Sequence, residues 1–188
     1  MTHARKAQRR LLPESATDRS PVTVIAYTDG GCIGNPGPGG YAAILIYGRH
    51  RKQLSGGFRL TTNNRMELVA AITALSALKS SCHVRLHTDS QYVAEAMTKG
   101  WPYQWKAKGW KRPKGGKALN PDLWEKLLRM CEKHEVEFNW IRGHAGNREN
   151  ERCDSLSMRA ARRRNLPVDN GYEADTETDN HNTIPMFD

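Results

Sequence analysis

Residues Val22 to Thr28 form an apolar, β-branched and aromatic run without polar alternation, the pattern of a strand covered on both faces of a sheet. The run ends in Asp29, and Gly30 and Gly31 follow. The same order returns downstream, where Val84–Thr88 leads into Asp89. If the two strands are neighbours, both carboxylates emerge at one sheet edge, where ligands collect in layered α/β folds.

Between these strands the chain reads as an antiparallel meander. Gly30 to Gly40, rich in Gly and Pro, is expected to be a turn into a strand over Tyr41–Tyr47, and Gly48 to Lys52 a hairpin connection into a third strand over Gln53–Leu60. Thr61 to Asn64 caps a helix expected from Arg65 to Lys79, with Met66, Val69, Ala70, Ile72 and Leu75 at helical spacing and Glu67 in its first turn. After Asp89, a helix begins at Ser90 and runs to Met97, capped by Asp89 or Ser90. A helix over Asp122–Lys133, a strand over Val136–Ile141, a glycine-containing loop over Arg142–Arg148 and a last helix over Arg148–Arg164 complete the pattern. The order implies a mixed sheet flanked by helices, with no solenoid repeat.

At 188 residues the chain suits one domain with loose ends. No apolar run approaches the ~18 residues of a membrane helix. The N-terminus lacks the apolar core of a secretory signal, although its arginines also suit an organelle leader. Four cysteines without paired spacing point to reduced, packed thiols in a cytoplasmic protein and to neither zinc nor a disulfide framework.

The formal charge of +9 is unevenly spread. Residues 1–20 hold 5 basic and 2 acidic side chains and residues 165–188 hold 0 and 6, so 21–164 hold 24 against 12. A middle that basic favours a polyanionic partner, nucleic acid before membrane. Residues 1–20 are expected to be a flexible basic arm and 165–188 an acidic disordered tail. Lys99 to Pro121 hold seven basic residues and no acid, interleaved with Trp101, Tyr103, Trp105 and Trp110, as in an exposed basic-aromatic protrusion.

Four acids can converge. Glu67 can project from its helix to the edge that carries Asp29 and Asp89, and Asp154 shares a face of the last helix with Asn150 and Glu151. Close carboxylates repel by roughly 4 kcal/mol per pair at an effective dielectric of about 20. Divalent cations with oxygen ligands resolve that conflict, and Mg²⁺ suits a carboxylate-only set better than Zn²⁺. Two such ions flanking a phosphate would support phosphodiester hydrolysis. Each piece also has a plain structural reading. A strand-end Asp is commonly a turn or cap residue, a helix-start Glu answers the helix dipole, His144 can be a turn residue, and Trp101 with Trp105 can pack on one helix face. His83 and His87 are expected to face solvent.

Taken together, YTDGGCIGNPGPGGYAAIL, TTNNRMELVAAITAL, HTDSQYV, WKAKGWK and GHAGNRENERCD resemble the bacterial-type (type I) ribonuclease H family over about residues 22–164. The resemblance implies an α/β ribonuclease H-like fold, a five-stranded mixed sheet (antiparallel meander plus parallel strands) flanked by helices, with the catalytic domain over 21–164 and its basic protrusion over 99–117. It implies endonucleolytic cleavage of the RNA strand of RNA–DNA hybrids with two Mg²⁺ ions, Mn²⁺ being able to substitute, leaving 5′-phosphate and 3′-hydroxyl ends. The implied metal ligands and catalytic acids are Asp29, bridging both ions, with Asp154 on the nucleophile side and Glu67 and Asp89 on the leaving-group side. His144 matches a mobile-loop histidine assigned to proton transfer or product release, and Glu151 a helix acid tied to metal exchange.

Cys32, Asn35, Thr62, Asn63, Asn64 and Gln91 match positions that line the minor groove of the hybrid or hold DNA phosphate. Trp101, Lys106, Lys108, Lys111 and Lys114 match the protrusion that grips the DNA strand. A monomer without a separate hybrid-binding domain is expected. The readings set beside this one are a transposase- or integrase-like strand-transfer enzyme of the same fold and a non-catalytic nucleic-acid-binding protein. The fourth acid in NERCD and the GHAG loop argue against the first, and the intact set of acids against the second.

Overall fold

The computed structural model describes residues 23–112 and 115–174. The basic arm over 1–20, Lys114 and residues 175–188 lie outside the described residues. Five strands, β1 (Thr23–Cys32), β2 (Gly37–Tyr47), β3 (His50–Thr61), β4 (His83–Thr88) and β5 (Glu135–Trp140), form one sheet in the order β3-β2-β1-β4-β5. β2 pairs antiparallel with β1 and β3, whereas β1 with β4 and β4 with β5 are parallel. This is the expected mixed sheet. Its helices are α1 (Asn63–Ser76), α2 (Gln91–Thr98), α3 (Trp101–Ala107), α4 (Pro121–Lys133) and α5 (Arg148–Ala161). Among the described residues no helix is long and apolar enough to cross a membrane.

The sheet is buried on both faces because alternate residues of its central strands serve different layers. Val24, Ala26, Ala43, Leu45, Val84 and Leu86 face a core built with Leu68, Leu75, Trp124 and Leu127 from α1 and α4. Ala42 and Ile44 face the other way and pack against Cys153 and Leu156 of α5. The absence of polar alternation over 23–28 has this cause.

The expected glycine turn is mostly strand. β1 runs four residues past Thr28 and β2 starts four before Tyr41, pairing Gly30 with Tyr41, Gly31 with Gly40 and Cys32 with Gly39. The glycines serve helix approach. A Cβ on Gly30 would overlap the backbone of Met66 and Glu67 in α1, and one on Gly40 would overlap the carbonyl of Ser157 in α5. The hairpin connection is likewise shorter than expected, since β3 begins at His50. The basic-aromatic protrusion is partly helical: α3 carries Trp101 and Trp105 with ring centroids 6.3 Å apart, and a bridge from Lys111 to Lys117 closes its tip.

The disorder expected from Asn165 onward does not hold over 165–174. Asp169 is buried and accepts hydrogen bonds from Thr61 Oγ1 (2.7 Å), Arg65 Nε (2.7 Å) and Arg65 Nη2 (2.8 Å). The same guanidinium donates to both oxygens of Asp122 at the start of α4. Arg59 adds a two-pronged contact to Glu173, and its backbone N–H donates to the Pro167 carbonyl. A lone acidic residue in an aperiodic stretch gives no local sign of this, because its partners stand more than a hundred positions upstream.

Arg65 is 2% exposed and its charge depends on these two carboxylates. Removing one leaves a buried cation half-compensated. Asp169→Ala is expected to cost about 3 kcal/mol, read as a lower urea midpoint at unchanged slope.

Candidate active site

Asp29 is the seventh residue of β1 and Asp89 is the first residue after β4; Thr28 and Thr88, the residues before them, are the last register pair of the two parallel strands. The acids therefore leave one sheet edge side by side. α1 starts at Asn63, two residues earlier than expected, so Glu67 lies in its second turn and is not a dipole-answering first-turn acid. It points to the same edge. One carboxylate oxygen from each of Asp29, Glu67 and Asp89 lies within 4.8 Å of the others. The cap of α2 is Ser90, whose hydroxyl accepts from Val93 N at 3.3 Å, so the Asp89 side chain is not needed as a helix cap.

Asp154 stands outside that group of three but belongs to its surroundings. α5 presents Asn150, Asp154 and Ser157 at i, i+4 and i+7. Asn150 Nδ2 donates to Asp89 Oδ2 at 3.0 Å, and Ser157 Oγ lies 2.6 Å from Asp29 Oδ2 and 2.9 Å from the carbonyl oxygen of Asp154. A hydroxyl has one proton, and the shorter contact with a carboxylate takes it. One helix face thus holds both Asp29 and Asp89. Sequence reading placed Asn150 on the face of Asp154 without a task and missed Ser157; the i, i+4, i+7 spacing is the signal that would have found it.

The electrostatics are those of an uncompensated cluster. Burial raises the pKa of Asp29 to about 6, with the charges of Asp89 and Asp154 adding to it and the Ser157 hydrogen bond opposing it. Glu67 is pushed well above the usual carboxylate range, first by burial and then by Asp29 and Asp89. Glu67 Oε2 is buried and has no hydrogen-bond partner among the described residues. An oxygen-only set with one orphaned carboxylate oxygen fits a hard divalent cation.

The other anticipated residues surround this edge with partners of their own. Asn63 Oδ1 accepts from Cys32 N at 2.8 Å, Asn35 Oδ1 accepts from Asn63 N at 3.2 Å, and the Thr62 hydroxyl caps α1 by accepting from Arg65 N. These contacts fix the β1–β2 connection to the start of α1, while Asn35, Asn63, Asn64 and Gln91 remain exposed. Burial raises the Cys32 thiol to about 11, leaving a neutral side chain. His144 is exposed with a φ of 51°. Its loop passes Asp89, since a Cβ on Gly143 would lie 2.7 Å from Asp89 Oδ2, and it is held by Glu151 Oε1 accepting from Gly146 N at 3.1 Å. His87 does not face solvent freely: it is half-buried and stacks on Tyr27 at 4.9 Å. In the protrusion, Lys99 Nζ sits 4.8 Å over the Trp101 ring, Lys106 is 3.9 Å from Glu125, and Lys108 and Lys111 are exposed.

The family described as RNase H matches residues 21–162 of the chain. The chain belongs to the ribonuclease H family. A ribonuclease H of Syntrophus aciditrophicus is 64% identical over 149 residues, covering 79% of this chain and 86% of that one. A ribonuclease HI of Synechocystis sp. is 53% identical over 154 residues, covering 81% and 96%. Among solved structures, LC9-RNase H1, a type 1 RNase H with the type 2 active-site motif, superposes with a TM-score of 0.68 at 34% identity over 77% of this chain and 74% of that one. LC11-RNase H1, solved in complex with an RNA/DNA hybrid, shares the fold at a TM-score of 0.58 and 24% identity, over 73% of this chain and 96% of that one.

Raised carboxylate pKa values favour the protonated acids in the folded state. The stability of metal-free protein should therefore fall as pH rises from about 4, where an unfolded carboxylate titrates, through about 6 for Asp29. Asp29→Asn removes that share, on the order of 2 kcal/mol. In chelator, the variant is expected to melt several degrees above the parent at about pH 7.5 and level with it below about pH 4. Divalent cation added at the higher pH should close the gap by raising the parent.

Proposed function

We propose that this chain is a cytoplasmic, monomeric endonuclease that hydrolyses the RNA strand of RNA–DNA hybrids by a two-metal-ion route, leaving 5′-phosphate and 3′-hydroxyl ends. The observation that carries the reading is the trio of buried Asp29 with half-buried Glu67 and Asp89, in which one Glu67 oxygen is unpartnered. Asp29, Glu67, Asp89 and Asp154 would hold the ions, Mg²⁺ or in its place Mn²⁺. Such ions lower the pKa of an attacking water and stabilise the leaving oxygen.

The chain's own residues then have separable tasks. Ser157 and Asn150 each occupy one oxygen of a strand-end acid and so fix the direction of the other oxygen, as outer partners of metal ligands do. His144, exposed on a loop that Glu151 anchors and that passes Asp89 at Gly143, would serve proton transfer or product release. Cys32, Asn35, Thr62, Asn63, Asn64 and Gln91 offer short polar groups and backbone to a wide, shallow groove, which is how 2′-hydroxyls are read on one strand and deoxyribose on the other. Their mutual hydrogen bonds supply that surface ready-made. Trp101 with the lysines at 106, 108, 111 and 114 would grip the DNA backbone. The four cysteines are free, as a reducing compartment allows.

A labelled hybrid is expected to be cut in its RNA strand with added Mg²⁺, and Asp29→Asn to abolish cutting while hybrid is still bound. Cutting of duplex DNA, or a variant as active as the parent, would refute the proposal. Replacing Lys106, Lys108, Lys111 and Lys114 with Gln should raise KM and flatten its salt dependence by roughly 0.9 per lost phosphate contact, with turnover at saturating hybrid largely kept.

A further inference from the structure

Helix α5 orders its cations. At 3.6 residues per turn, Arg148, Arg152 and Arg159 fall within about 40° of one another around the axis, and Arg162, the C-cap, and Arg163 follow at its end. All five are exposed, and the three on the helix lie away from the stripe of Cys153, Leu156, Ser157 and Ala160 that packs on the sheet. Arg148 to Arg159 alone span about 16 Å. Among the described residues none of the five makes an ion pair; Arg163 reaches only the neutral Ser55 Oγ, at 3.4 Å.

The acids of the helix are occupied elsewhere. Glu149 pairs with Arg51 at 2.6 Å, Glu151 holds Gly146, and Asp154 faces the carboxylate site. The residue type is also selective: residues 148–164 hold six Arg and no Lys, whereas 99–117 hold six Lys and one Arg. A guanidinium offers a planar fork that matches phosphate bidentately and is less hydrated than an ammonium. A duplex presents a negative charge about every 1.7 Å of axis, so a stripe this long meets several phosphates.

We propose that the α5 arginine stripe is a second contact surface for a phosphodiester backbone, separate from the lysines of 99–117, that engages nucleic acid beyond the reacting bond. It rests on the reading above that the chain binds RNA–DNA hybrid. The same helix carries Asp154, about 120° around its axis from Arg148, which sets the stripe to one side of the acids. The charge spacing along its axis makes the continuing duplex the occupant, in preference to a single-stranded RNA extension.

The test uses Asp29→Asn protein, which holds substrate uncut, with and without Arg→Gln at all five positions. Three probes are titrated by fluorescence anisotropy across salt: a short blunt hybrid, the same hybrid lengthened as duplex, and the same hybrid with a single-stranded RNA extension. Expected is a tenfold or greater loss of affinity on a lengthened probe, a salt slope lower by about 2 to 4, and a much smaller change on the blunt probe. The loss is expected on the probe lengthened as duplex, and a loss confined to the single-stranded extension would overturn the duplex as occupant. Arg→Lys at the same positions should keep the slope and lose part of the affinity. If the fivefold Gln variant does not fold, Arg159, Arg162 and Arg163 alone carry the same expectation at smaller size.

Parental affinity and slope on every probe would overturn the proposal. So would an equal loss per charge from Gln at Lys126, Arg129 and Lys133 on the exposed face of α4, which would make the effect one of net charge. Failure of Asp29→Asn protein to bind any hybrid would instead overturn the functional reading beneath it.

Discussion

Repulsion among carboxylates is the interaction on which the rest of this structure turns. Asp29, Glu67 and Asp89 arrive from within β1, from α1 and from the end of β4, and close helix–strand approaches bring those three elements together. Gly30 lets α1 lie directly on β1, and Gly40 lets α5 lie on β2. Without those two approaches Glu67 would be lifted away from Asp29, and Ser157 away from the carboxylate it holds. The result is a site that resists being ionised when empty and is relieved by positive charge.

A second, compensated cluster stands beside it. Arg65 is two residues before Glu67, and its guanidinium ties the first turn of α1 to Asp122 on α4 and to Asp169 beyond α5. Glu67 thus follows a turn clamped by the ion pairs of buried Arg65, while the acid itself has an unpartnered oxygen. One helix end combines a satisfied charge that fixes position with an unsatisfied one left for chemistry.

Much of this was legible because period and punctuation agree. The unbroken apolar runs before Asp29 and Asp89, and the helical spacing from Met66 to Leu75, report local burial and so appear in local sequence. The glycines misled because Gly at a turn and Gly at a helix–strand crossing look the same in one dimension. The distinction lies in what stands opposite, Met66 or Ser157, and that is a tertiary fact. Asp169 was unreadable for a similar reason, since its partners are distant in sequence. Ser157 was missed because a serine within a helix has an ordinary back-bonding role, which here competes with a carboxylate. Asp154 was readable from its neighbours on one face, yet its place just outside the group of three depends on the exact seating of α5.

The parallel pairing of β1 and β4 sets a ruler. Asp29 and Asp89 each follow the last register pair, Thr28 with Thr88, whose backbones are separated by the interval between hydrogen-bonded strands, about 4.8 Å. That interval is a property of peptide geometry and is the same whatever side chains surround it. The span between two of the acids is therefore not open to gradual tuning by substitution. A slip of one residue would swing either carboxylate to the opposite face of the sheet, so the site has no neighbouring variants of slightly different width, only presence or loss.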